Sequence, residues 1–221
     1  MTTATFPRTN PAIERDVENE LNWDPAIDAA DIGVAVDDGV VTLTGTVTSY
    51  AQKIMAEHAV RDLDGVRAVA NDLTVRTATT VTDKDIAESV ATMIESNVLL
   101  DKEDVDITVR SGIVTLSGQV NWDYQRRSAE RSVENLRGVI TVVNNIMVVP
   151  PTAIVKDVRD EIRQAFERSA RLDATNLTID VDHGRVKLHG TVDNLEEKYD
   201  AARAAWRAKG VTSVQNDIHV A

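Results

Sequence analysis

This chain of 221 residues has no cysteine, so candidate chemistry has to be sought among its other polar and aromatic side chains. Without thiols there is no disulfide framework, thiolate metal site or thiol nucleophile. His183 and His189 lie six residues apart on a segment that alternates like a strand. That spacing separates them by about 20 Å, too far to share one metal ion. His58 falls at an exposed helix position and His219 near the C-terminus. The acidic pairs Asp37-Asp38, Glu103-Asp104 and Glu196-Glu197 set adjacent carboxylates on turn or helix surfaces, where they point apart and stay solvated. No nucleophile with its base, metal cluster or cofactor loop emerges, so the sequence predicts a non-enzyme with no catalytic residue, no metal and no cofactor. Two groups instead join aromatic rings to cations: Trp206 with Arg203, Arg207 and Lys209, and Trp122 with Tyr124, Arg126 and Arg127. Such a group suits a lipid headgroup layer, where the ring enters the interface and the cations meet phosphates.

The elements that must position these groups are written three times. Residues 39–47 read GVVTLTGTV, residues 112–120 GIVTLSGQV and residues 184–192 GRVKLHGTV. The register extends over most of the chain, so the repeat is a domain. Upstream, Ile13, Val17 and Leu21 recur as Ile86, Val90 and Ile94 and as Val158, Ile162 and Phe166, the stripe of a first helix. Alternating Ile32, Val34 and Val36, with Val105, Ile107, Val109 and Leu177, Ile179, Val181, predicts a half-buried first strand. Gly39, Gly112 and Gly184 then supply the positive φ of a tight hairpin. Gly45, Gly118 and Gly190 share the inward face of the second strand, which calls for close backbone approach. A second helix with small alanines, including Ala56, Ala129 and Ala201, is expected to provide it. Gly65, Gly138 and Gly210 suit the left-handed C′ position of that helix. A third strand follows, with Asn71, Asn144 and Asn216 at one position as turn or bulge caps. The result is an α+β chain of three tandem αββαβ domains, each a small mixed three-stranded sheet with two helices packed on it. Because the glycines bracket a strand instead of joining strand to helix, a phosphate-cradling loop is excluded.

Aligning the copies also bears on the aromatics. Trp23 stands where the sisters have Ser96 and Arg168, Trp122 where they have Ser49 and Asn194, and Trp206 where they have Arg61 and Glu134. Core positions would not alternate with polar residues, so all three indoles are expected to be at least partly exposed. Exposed tryptophan marks interfaces or membrane belts. The competing reading is that each ring packs against the neighbouring repeat or caps its own domain.

The order helix, G-x-V-x-L-x-G-x-V, alanine-rich helix, Gly-Val, V-x-N-x-[LIV]-x-V resembles the BON domain, a family named for bacterial osmotically inducible periplasmic proteins and nodulation proteins. The resemblance covers about 200 of 221 residues in three copies. It implies an αββαβ fold without catalytic residues. It also implies binding of phospholipid membranes or hydrophobic partners, a part in osmotic stress and, in some members, chaperone activity. The osmotically inducible members are usually exported with two copies, whereas three copies stand here and the start MTTATFPRTN lacks an apolar leader.

A formal net charge of −12 argues against nucleic acid as a partner. The expected partners are an anionic phospholipid surface or a hydrophobic or unfolded protein chain. With no transmembrane run or leader, the sequence predicts a cytoplasmic protein, periplasmic if a leader is removed. Residues 1–10 read as a flexible arm, and the domains as 11–78, 79–151 and 152–221. Acidic against basic side chains number 13 to 6 in residues 1–78, 11 to 7 in 79–151 and 12 to 11 in 152–221, so the third copy is nearly neutral. The connectors RTATTVT at 76–82 and VPPTA at 149–153 favour extended backbone and predict domains lying end to end. Limited proteolysis is expected to cut first in these two connectors; early cutting inside residues 84–148 with the connectors protected would refute the division.

Overall fold

The computed structural model describes residues 8–77, 81–151, 158–167 and 176–221. Residues 1–7 of the expected arm and parts of both connectors lie outside the described residues. The first repeat runs α1 (Asn10–Trp23), β1 (Ile32–Asp37), β2 (Val40–Val47), α2 (Tyr50–Arg61), β3 (Ala68–Asn71) and β4 (Thr74–Val75). The second runs α3 (Asp83–Ser96), β5 (Val105–Arg110), β6 (Ile113–Val120), α4 (Asp123–Glu134) and β7 (Thr141–Val148). The third runs α5 (Arg159–Glu167), β8 (Leu177–Asp182), β9 (Arg185–Val192), α6 (Leu195–Trp206) and β10 (Ser213–Val220).

The first helices form where apolar residues recur every fourth position, and α1 and α3 bury those stripes. A reciprocal capping box between Thr82 and Asp85 starts α3. In every repeat the middle strand pairs antiparallel with the strand before it and parallel with the strand after the second helix. Parallel pairing requires a crossover, and α2, α4 and α6 are those crossovers. Their alanines Ala56, Ala129 and Ala201 are fully buried over Val41 and Leu43 and their counterparts in the other sheets. In the first repeat the third strand is interrupted at Asp72 and Leu73, whereas β7 and β10 pair continuously over eight residues.

The hairpins are type I′, because both turn residues have positive φ: Asp38 and Gly39 at 46° and 73°, Ser111 and Gly112 at 51° and 74°, His183 and Gly184 at 47° and 81°. Two expectations about the other glycines are corrected. The second helix does not crowd the inward strand glycine. A Cβ on Gly118, at φ +123, would lie 2.1 Å from the carbonyl oxygen of Asp104, the residue entering β5. Asp31 and Asn176 do the same to Gly45 and Gly190, at 1.9 and 2.0 Å. Nor does Gly138 occupy C′, since α4 ends at Glu134 with Asn135 as its cap. Gly138 instead closes a further turn, and its carbonyl lies where a Cβ on Gly112 would come within 2.9 Å. Backbone approaches backbone at both places because the first strand and the post-helix turn press on the hairpin from two sides.

The recurrent asparagine joins helix to sheet. Asn144 Nδ2 donates to the Arg126 carbonyl at 3.0 Å and to Glu130 at 3.2 Å, while its Oδ1 accepts from the Ile146 amide at 3.2 Å. Asn71 and Asn216 repeat the bonds to the Lys53 and Lys198 carbonyls at 3.0 and 2.7 Å.

Two further corrections concern the arm and the arrangement of the repeats. Arg8 pairs with Asp16 and donates to the Asp64 carbonyl at 3.1 Å, and α1 begins at Asn10, so residues 8–10 are tied to the first repeat. The repeats do not simply lie end to end. The Arg61 guanidinium sits 4.2 Å from the Tyr199 ring centre, and the Arg126 guanidinium 4.6 Å from that of Trp206. Tyr50 hydrogen-bonds with the Val142 backbone. Each repeat therefore touches both others, because arginine stacking on aromatic rings draws the crossover helices together.

Replacing Gly118 by valine is expected to cost about 3 kcal/mol and Gly112 by asparagine about 1 kcal/mol, since a Cβ would meet backbone at 2.1 Å in the first site but only at 2.9 Å in the second, where asparagine also tolerates the left-handed φ. Peptide-resolved hydrogen exchange of β5 to β7 measures both, and equal losses would contradict the assigned contacts.

Candidate functional site

The ring-and-cation groups lie on crossover helices and on the turns that follow the first helices. Trp23 ends α1 and is 83% exposed. The corresponding turn of the second repeat carries Val98, 97% exposed, and Leu99, also exposed. Asn97 holds this turn on α4 by donating to Ser128 Oγ and Ser132 Oγ at 2.8 and 2.9 Å. Gln125 donates to the Leu99 carbonyl at 3.0 Å, and its Oε1 accepts from the amides of Asn121 and Trp122 at 3.1 Å each. One side chain thereby joins the apolar turn to the start of α4, where Trp122 is half-buried and Tyr124 exposed. Val98 and Leu99 were missed in the sequence reading. They stand opposite Pro25 and Ala26 of the first repeat, so the sister comparison used for the tryptophans contained the signal.

The expected roles of Arg126 and Arg127 as free cations are corrected. Both pair with Asp123, which is only 3% exposed; the Arg127 Nε lies 2.8 Å from its Oδ2. A buried carboxylate in the first turn of α4 gains from the helix dipole as well as from these two guanidiniums. Arg126 also covers the Trp206 ring. Trp206 itself is half-buried and packs against the hydrophobic core. Arg203 is likewise held, by Glu196 and Asp200, which raise its pKa against the lowering caused by burial. Arg207 and Lys209 are exposed and make no ion pair among the described residues. The stacking of Arg126 on Trp206 brings the end of α6 beside α4. Trp23 stands apart on the first repeat.

His58 lies on α2 at the junction with α6. His58 keeps an exposed edge, but the protein packed around it desolvates the ring and lowers its pKa; Arg61 and Arg203 add to that, and Glu57 and Glu196 oppose it. At the junction of repeats one and two, burial raises the Tyr50 pKa, with Glu130 and Glu134 adding to the shift. Among the described residues no three His, Asp or Glu side chains converge to hold a metal ion, and no helix is long and apolar enough to cross a membrane.

Residues 9–77, 82–150 and 155–221 each match the family described as BON domain. Osmotically-inducible protein Y of Escherichia coli strain K12 is 34% identical over 141 residues, covering 61% of this chain and 70% of that protein. CdsD, a structural protein of the Type III secretion system of Chlamydia trachomatis, is 14% identical with a TM-score of 0.25, covering 94% of this chain and 91% of the CdsD chain. The C-terminal domain of CdsD gives a TM-score of 0.26 at 14% identity, with 94% and 96% covered.

Since the folded state holds His58 below the ordinary imidazole value of about 6.5, the unfolded chain takes up its proton first as pH falls. Stability is therefore expected to decline as pH drops below about 6.5 and to level off below the folded pKa. In His58→Gln this part of the slope should vanish from urea unfolding measured between about pH 8 and pH 5. A His58 resonance titrating at or above the free-imidazole value would contradict the expectation.

Proposed function

We propose that this chain, which belongs to the BON domain family, is a non-enzymatic binding protein of osmotic or envelope stress that engages phospholipid surfaces. Its likeness to a protein named as osmotically inducible supports the stress assignment. The observation that carries the binding assignment is the exposure of Val98, Leu99 and Tyr124 around the start of α4, with half-buried Trp122 there and exposed Arg207 and Lys209 on the third repeat. Monomeric proteins rarely leave such side chains together in water without a use for them. Insertion of the 98–99 turn buries apolar area, and each nearby cation adds on the order of 1 kcal/mol at an anionic surface. The body of the protein is acidic, which restricts productive approach to this face. The site is composite, with its apolar part on the second repeat and its free cations on the third. The same exposed apolar turn also suits a hydrophobic segment of an unfolded chain, which makes a chaperone-like scaffold the second reading.

Full-length protein is expected to co-sediment with anionic vesicles more than with zwitterionic ones, and less as salt rises. Val98→Ser/Leu99→Ser should weaken that binding at least about tenfold, the loss of two inserted side chains. Unchanged vesicle binding, together with lost suppression of a client protein's aggregation, would transfer the surface to the second reading.

A further inference from the structure

We propose that the cleft between the first and second repeats is an oxyanion site that takes a phosphate ester. The cleft has a volume of about 470 Å³ and is lined from the first repeat by Thr48, Ser49, Arg76 and Thr77, and from the second by Asn135 and Arg137 among others. No carboxylate among the described residues lines it. In this chain of 36 acidic and 24 basic side chains, eight of the described arginines pair with an acid. Arg76 and Arg137 make neither an ion pair nor a side-chain hydrogen bond among the described residues. Two arginines from separate repeats, neither with a charged partner among the described residues, thus line one space.

The local fold places them there. The Arg76 amide donates to the Val47 carbonyl at 2.8 Å, which sets Arg76 beside the residues that open α2. Arg137 lies in the turn between α4 and the left-handed Gly138. The contact of Tyr50 with Val142 holds the two repeats together across the same junction. Glu130 and Glu134 act on Tyr50 but do not line the cleft. The Ser49 side chain caps α2 by accepting from the Gln52 amide, so the positive end of a twelve-residue helix adds to the field set by the arginines. Guanidinium groups bind phosphate oxygens in pairs, and the hydroxyl of Thr77 can donate to a remaining oxygen, whereas that of Thr48 already donates to Gln52 at 2.9 Å. The cleft between the first and third repeats offers no equivalent, because there Arg67 is met by Asp38 at 3.3 Å. The cleft and the exposed turn at Val98 share no residue, so the inference stands apart from the membrane assignment.

The test is calorimetric titration of the full chain with inorganic phosphate and with glycerol phosphate, beside sedimentation with phosphatidylglycerol vesicles. Wild type is expected to bind both soluble probes. Arg76→Ser and Arg137→Ser should each weaken binding at least about tenfold, and the double variant should abolish it. Arg15→Ser is the charge control and should leave binding unchanged, with circular dichroism confirming that all variants fold. Loss of vesicle binding along with the soluble probes would identify the ligand as a lipid headgroup. Loss of the soluble probes alone would identify a free phosphate ester and leave the Val98 surface as the membrane contact. No binding by wild type, or equal binding by the double variant, overturns the proposal.

Discussion

Parallel pairing between the second and third strands of each repeat is the constraint from which the rest of the architecture follows. Two parallel neighbours cannot be joined by a tight turn, so the chain must cross the sheet and return. The crossing element is a helix whose inner face has to lie close to the middle strand, which is why alanines are buried there. Its first and last turns are left at the margins of the repeat, and those turns meet the other repeats. One topological requirement thus shapes the core on one side of the helix and creates the junctions between repeats on the other.

Three copies of one pattern made much of this architecture legible in the sequence. Helical stripes and strand alternation are short-range and periodic, so triplication raised them well above accidental spacing. The sign of φ at the hairpin glycines was legible for the same local reason. What crowds Gly118 was not, because the Asp104 carbonyl arrives from fourteen positions away, and a glycine does not name the atom that excludes its side chain. The partners of the rings were also hidden. An arginine that stacks on a ring in another repeat looks, in one dimension, like any surface arginine. Asp123 gave no sign that it would be buried beneath Arg126 and Arg127. The exposed pair Val98 and Leu99 was readable by comparison with Pro25 and Ala26, but apolar residues in a sequence are first read as core.

Divergence among the copies is greatest where they meet. The last position of the crossover helix is Arg61, Glu134 or Trp206, and its first position is Tyr50, Asp123 or Leu195. Core positions stay within a narrow set of aliphatic residues, since each fills the same space against the same sheet. Junction positions are freed from that demand and have become chemically distinct. Cation stacking joins one pair of helices, a different stacked pair joins another, and a tyrosine hydroxyl reaches backbone at the third. Such distinct contacts specify which repeat meets which, a task that three identical surfaces could not perform.

The stacking of Arg61 on Tyr199 joins the first repeat to the last, across 138 positions of chain. During synthesis at roughly 5–20 residues per second, the first crossover helix emerges on the order of ten seconds before its aromatic partner exists. For that interval the end of α2 is an open margin on a folded domain, able to meet whatever else is nearby on the ribosome. The pairing of Arg61 with Glu57 on α2 itself balances the charge of that margin without any partner from a later repeat.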